Sequence, residues 1–187
     1  MADASRTPRR PPPEAPEPPG PDAALEVAVR FLGSRPRTRW EVDRRLRRSG
    51  ATDEVVDATL ARLAAMGYVD DAAFVRWWSD QRDRHAPRGR RMIEAELRQH
   101  GVPRDVIAAM PTTIKVGDRL PEDAGLPETD EDRARLALEH HLRGRSLPTD
   151  PKGLQRIGMF LVRRGFDPET VRSTIRAAGT AATDGVP

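Results

Sequence analysis

One spacing occurs three times along the chain and limits the folds open to it. A leucine is followed four residues later by a glycine, then directly by a small or apolar residue, and six past the glycine by a β-branched one. Leu46, Gly50, Ala51 and Val56 match Leu97, Gly101, Val102 and Ile107, and these match Leu161, Gly165, Phe166 and Val171. The same spacing in the same helical context marks a tandem repeat. A unit of this size is too small to bury a self-sufficient core, so neighbouring units are expected to stack or lean on one another. Apolar residues recur at helical spacing almost everywhere and nowhere with a convincing period of two. The expected fold is all-α: three tandem three-helix repeats forming an elongated molecule, straight or curved.

Residues 1–22 are dominated by proline, which removes backbone donors and offers little to bury, and are read as a disordered arm. The first repeat, 23–67, opens with Leu25, Ala28, Val29 and Leu32 at helical spacing, a helix ended by Gly33 and Pro36. Thr38 and Glu41 are spaced for a reciprocal capping box at the start of a second helix through Val42 and Leu46. A third helix carries Val56, Leu60 and Leu63 and stops at Gly67. The second repeat, 68–110, has a helix capped by Asp70 or Asp71 and bearing Phe74, Trp77 and Trp78. It continues with a helix over 88–99 carrying Ile93 and Leu97, and a third opened by Pro103 with Val106, Ile107 and Met110. The third repeat, 130–179, has Leu136, Leu138 and Leu142, then Leu154, Ile157 and Leu161, then Val171 and Ile175 after Asp167 and Pro168. A linker over 111–129 separates it from the second. Acidic residues from Asp118 to Asp132, interrupted by Pro121 and Pro127, read as a flexible spacer or as an intramolecular cover for the arginines. The tail 180–187 is small and polar and is expected to be disordered.

The absence of cysteine excludes disulfides and thiolate metal sites and suits a reducing cytoplasm. The apolar runs are too short to span a bilayer. Lys115 and Lys152 are the only lysines, so the basic character is carried by arginine, which reflects either a high-GC genome or a demand for bidentate contacts. A pI of about 10.1 permits nucleic acid or an acidic protein as partner without choosing between them.

The arginines gather in two places. Arg44, Arg45, Arg47 and Arg48, with Arg35, Arg37 and Arg39 upstream, form the first patch; Arg82, Arg84, Arg88, Arg90 and Arg91 form the second, across a turn between two helices. Each is either a binding surface for phosphate or carboxylate, or a solvated helix face whose arginines pair with Asp80, Asp83, Glu94 and Glu96. Of Trp77 and Trp78, one is expected in the core and the other half exposed, whereas Trp40, in the first turn of a basic helix, is the better candidate for a surface contact. His140 and His141 are adjacent on a helix and point about 100° apart, poorly placed to share an ion, and His100 suits a helix C-terminus. No phosphate loop, nucleophile elbow or carboxylate–histidine spacing occurs, so neither enzyme activity nor a metal or cofactor is expected.

Thr38-Arg39-Trp40-Glu41-Val42 followed by Arg45-Leu46 resembles the Ser-Arg-x-Glu-Leu-x-x-Lys-Leu segment of the RecX family. Gly67-Tyr68-Val69-Asp70-Asp71 with Phe74 resembles that family's passage into its second repeat. The arginine-rich stretch 82–91, followed by Ile93, Glu96-Leu97 and Gly101-Val102, is similar to its arginine-rich turn and the helix after it. The resemblance covers 25–110 well and 130–178 more loosely. Departures are Ser49 before the first repeat's glycine, His85-Ala86-Pro87 at the turn, and an insertion from Gly144 to Pro151. Membership implies a cytoplasmic regulator without chemistry of its own that lies along the RecA–DNA filament and restrains RecA ATPase, strand exchange and coprotease activity. RecA, with single- or double-stranded DNA, is then the implied partner, the chain a monomer, and both arginine clusters the contact surface. The competing reading is a DNA-binding protein acting on duplex DNA in the manner of a helix-turn-helix, although the basic residues lie mostly on the earlier helix of each unit. A scaffold for some other acidic protein is a third.

Overall fold

The computed structural model describes residues 17–110 and 127–184, and all the regular structure among them is helical. The first unit comprises α1 (Pro21–Leu32), α2 (Arg39–Arg48) and α3 (Asp53–Ala65). The second comprises α4 (Asp71–His85), α5 (Arg90–Gln99) and α6 (Arg104–Ala108), and the third α7 (Asp130–Leu142), α8 (Pro151–Arg163) and α9 (Pro168–Asp184). The acidic stretch through residue 126 lies outside the described residues, as do residues 1–16 of the proline-rich arm. Three boundaries differ from expectation. α1 already starts at Pro21, because proline at a first helical position forfeits no hydrogen bond. Asp130, Glu131 and Asp132 belong to the first turn of α7, where Thr129 and Asp132 form a reciprocal capping box and the carboxylates meet the positive end of the helix. α9 runs past Thr180 to Asp184, a stretch whose alanines favour helix.

The recurring leucine–glycine spacing has a physical cause in the way the middle helix of each unit ends. Gly50, Gly101 and Gly165 all have positive φ, at 87°, 73° and 89°. The residue after each glycine donates its N–H back to the leucine carbonyl: Ala51 to Leu46, Val102 to Leu97 and Phe166 to Leu161, at 3.4, 3.1 and 3.3 Å. Each glycine also donates its own N–H to the carbonyl three residues back, on Arg47, Arg98 and Val162, and this double closure satisfies carbonyls the helix would otherwise strand, while only glycine enters the left-handed turn without penalty. The leucine and the residue after the glycine are thereby brought together into the core.

Each unit has its own core. Val42, Leu46, Val56, Leu60 and Leu63 are buried in the first, with Ala24 and Ala28 of α1 against them. In that helix Val29 turns outward, and the inward stripe is made of small residues that let α1 approach closely. Phe74, Ile93, Leu97, Val102, Ile107 and Met110 form the second core, and Ala134, Ala137, Leu138, Ile157, Leu161, Phe166 and Val171 the third. The units do lean on one another as expected, but through polar groups and close backbone contacts; the apolar clusters stay separate.

The two joints between units repeat the same geometry. At the first, the N–H of Arg39, the first residue of α2, donates to Asp71, the first residue of α4, at 2.9 Å. At the second, the N–H of Arg90, the first residue of α5, donates to Asp130, the first residue of α7, at 2.9 Å. α2 and α5 thus each have a free N–H at the N-terminus satisfied by the next unit. The residue before that helix also reaches the carbonyl that closes the next unit's middle helix: Thr38 Oγ1 donates to His100 at 2.7 Å, and the Gly89 N–H to Arg164 at 3.0 Å. The outer ends of the series differ. Pro21 occupies the position of Asp71 and Asp130, and Pro151 that of Arg39 and Arg90.

Candidate functional site

The arginines of the first cluster project from α2, whose buried face is set by Val42 and Leu46. Arg45 and Arg48 are exposed and reach no partner among the described residues. Arg44 lies over the Trp40 ring at 4.5 Å, which leaves its guanidinium in water while the indole screens one face. Arg47 is held by Asp43 at 2.8 Å and by Asp53. Upstream, Arg35 is tied to Glu41 at 2.7 Å, and Arg37 lies over Phe31 at 4.1 Å. Trp40 is 41% exposed, but its inner edge packs on Gly101 of the second unit, so it is at once a surface residue and part of the first joint.

The second cluster is divided by the structure. Arg82 Nε donates to Glu96 Oε2 at 2.8 Å, and Arg88 pairs with the other oxygen of the same carboxylate. Trp78 Nε1 also donates to Glu96 at 2.8 Å, with the Arg82 guanidinium 4.4 Å above its ring. Glu96 is nearly buried and binds α4, the turn and α5 together. Arg90 faces elsewhere, to Glu94 at 2.8 Å and the Met110 carbonyl at 3.0 Å. Arg84 and Arg91 are exposed. The five side chains therefore do not form one cluster, and three of them, Arg82, Arg88 and Arg90, are held in ion pairs within the unit. Trp77 and Trp78 are both half-buried and pack side by side against Phe74, so neither enters the core completely.

Other residues at the joints carry no local signal in the sequence. Arg133 on α7 is buried and grips Asp83 on α4 through Nε at 2.8 Å and Nη2 at 3.1 Å. Burial lowers the Arg133 pKa, but the bonds to Asp83 outweigh it and the net shift is upward. Such a pair is readable only once the fold has brought positions fifty apart in the chain together. Arg164, the cap of α8, donates to the Pro87 carbonyl at 3.1 Å. At the first joint His100 Nδ1 meets Glu41 at 3.1 Å while its ring packs edge-on against Trp78 at 4.4 Å. Burial raises the Glu41 pKa, but its bonds to Arg35, His100 and Thr38 outweigh that and hold it below its ordinary value. His141 stacks on Phe160 at 4.0 Å. Among the described residues, no three acidic or histidine side chains converge on a metal-sized site, and no helix is long and apolar enough to cross a membrane.

Residues 24–63 match the family model of the first three-helix domain of RecX, and residues 70–110 that of the second. The chain is 38% identical over 158 residues to the regulatory protein RecX of Mycobacterium avium, covering 83% of this chain and 84% of that one. It is 36% identical over 177 residues to the regulatory protein RecX of Thermobifida fusca, covering 87% and 88%. The crystal structure of RecX from Lactobacillus salivarius superposes with a TM-score of 0.67 over 86% of this chain and 97% of that one, at 14% identity, a likeness of fold.

Proposed function

Since the chain belongs to the RecX family of regulatory proteins, we propose that it binds the RecA–DNA filament and restrains RecA ATPase, strand exchange and coprotease activity. It would act in the cytoplasm, in DNA repair and recombination, without chemistry of its own. The observation that carries this reading is the display of exposed arginines on successive units, Arg44, Arg45 and Arg48 on the first and Arg84 and Arg91 on the second, joined by a repeated geometry. Basic groups held at a fixed separation can engage neighbouring protomers of a polymer together, and the second contact then forms at high effective concentration. Arg47, Arg82, Arg88 and Arg90 keep spare donors on guanidinium groups already anchored by carboxylates, so they too can contribute to the surface.

The test is the DNA-dependent ATPase of the cognate RecA, assembled on single-stranded DNA and titrated with this protein. Inhibition well below one copy per protomer, without sequestration of the bare DNA, is the expected result. No effect at excess, together with tight and sequence-selective binding to naked duplex DNA, would instead establish the helix-turn-helix-like alternative.

A further inference from the structure

We propose that Arg82, Arg88 and Arg164 form a phosphate-binding site that straddles the joint between the second and third units. The site extends the proposed function by adding a third-unit residue, and its chemistry rests on local geometry. Three elements converge: α4 supplies Arg82, the turn before α5 supplies Arg88, and the end of α8 supplies Arg164. Glu96 is the carboxylate that Arg82 and Arg88 share, paired with Arg82 at 2.8 Å and with Arg88. Arg164 is placed by two neutral contacts, its donation to Pro87 at 3.1 Å and its stacking over Phe160 at 4.8 Å. Arg82 and Arg88 share the Glu96 carboxylate, and Arg164, held at the Pro87 carbonyl beside Arg88, adds a third guanidinium charge to a partly desolvated joint. Arg164 reaches Pro87 and Gly89 on either side of Arg88, and burial first, then the like charges of Arg82 and Arg164, lower the Arg88 pKa.

Like charges held together in this way invite an anion. Each guanidinium has five N–H donors, and the protein contacts named above use only a few of them. Their approach from three elements suits a tetrahedral anion, whose oxygens point in several directions and accept bidentate forks, better than a second planar carboxylate. The site also reports on the joint. The Arg164 carbonyl accepts from the Gly89 N–H at 3.0 Å, directly after Arg88, so an anion gripped by Arg88 and Arg164 together draws the two units closed.

The experiment uses the full chain at low ionic strength with inorganic phosphate, an oligothymidylate and polyglutamate as probes. Hydrogen exchange at the Gly89 amide is followed alongside calorimetric affinity. Phosphate should slow exchange at Gly89 and compete with the oligonucleotide. Arg164→Ala should weaken oligonucleotide binding about tenfold and reduce the salt slope by about one. Arg156→Ala, which removes an exposed charge elsewhere on the third unit, should leave Gly89 exchange unchanged. If Arg164→Ala disturbs folding, Arg88→Ala provides the same comparison from the second unit. Phosphate binding without oligonucleotide binding would identify a free phosphate compound as the ligand and uphold the site. Unaltered binding in both arginine variants, or polyglutamate competing as well as the oligonucleotide at matched charge, would overturn it. RecA inhibition measured in parallel separates the two ideas, because wild-type inhibition with no phosphate effect refutes this site alone, and phosphate binding with no inhibition refutes the filament reading alone.

Discussion

The two joints share one backbone register yet are reinforced by different chemistry. At the first, a carboxylate, an imidazole and an aromatic ring meet in a half-exposed network: Glu41 with Arg35 and His100, and His100 against Trp78. At the second, the ion pair of Arg133 with Asp83 is almost wholly removed from water, at 3% and 0% side-chain exposure, and Arg133 also reaches Asp130 at 3.3 Å. The connections differ as well. α3 and α4 are joined by residues 66–70, whereas α6 and α7 are separated by residues 109–129. A short tether keeps the effective concentration of one unit beside the next high, so modest contacts suffice. A long tether gives less help, and a buried, geometrically demanding pair then contributes most to register, since any other docking breaks the bidentate bond between Arg133 and Asp83.

This contrast can be broken most forcefully at Arg133. Replacing it with alanine removes both bonds that the buried Asp83 carboxylate receives from α7 and should cost about 3–5 kcal/mol of third-unit stability, measured by denaturant unfolding with a probe on α9. A paired replacement, Asp83→Leu with Arg133→Met, should recover most of that loss and thereby show that the pair specifies docking more than it stabilises it. Next in size is Gly89→Ala. Its Cβ would overlap the backbone of Gly165 and Phe166, which cannot move aside, so the second joint should open by about 1–3 kcal/mol with a measurable rise in radius of gyration. Gly101→Ala meets the partly exposed Trp40 ring instead, and pairs that overlap with backbone strain at positive φ. Trp40→Ala should relieve the steric share of its cost and leave the strain.

Thr38→Ala removes both the cap on the Glu41 amide and the donor to His100, and should cost about 1–2 kcal/mol by thermal unfolding of the first unit. The smallest effect is one of pH. Glu41 titrates below its ordinary value of 4.5 in the folded chain, so its contribution is present above that pH and lost as pH falls through the lower folded value. Asp71 in the same joint is shifted upward, by burial first, and opposes this trend. Comparison of wild type with Glu41→Gln therefore isolates the Glu41 share, and the acid limb of the stability profile should flatten in the variant.

The parts of the molecule legible in the sequence are those governed by neighbours along the chain. The leucine–glycine spacing encodes a backbone closure confined to six residues, and the Thr38–Glu41 box spans one helical turn. Both can be read without knowing where the rest of the chain lies. The division of the second arginine cluster is another matter, because Glu96 selects Arg82 and Arg88 while Glu94 and the Met110 carbonyl take Arg90 according to helix phase and packing. Arg133 and Asp83 are two ordinary charged residues in the sequence and become partners only across the fold. Asp71 and Asp130 look like simple first-turn acids; that each also serves a helix in the preceding unit depends on the joint itself.

The two terminal prolines give the repeat a grammar of its own. In polymer terms the middle unit is a bifunctional monomer, with Asp71 accepting at one end and the Arg90 amide donating at the other. Pro21 carries no carboxylate and Pro151 no N–H, so both chain-growth positions are chemically dead. The aspartate–amide contact of the joint therefore cannot form head to tail between the third unit of one copy and the first unit of the next. Of the two contacts that make a joint, one is thus withheld at the outer positions of the series.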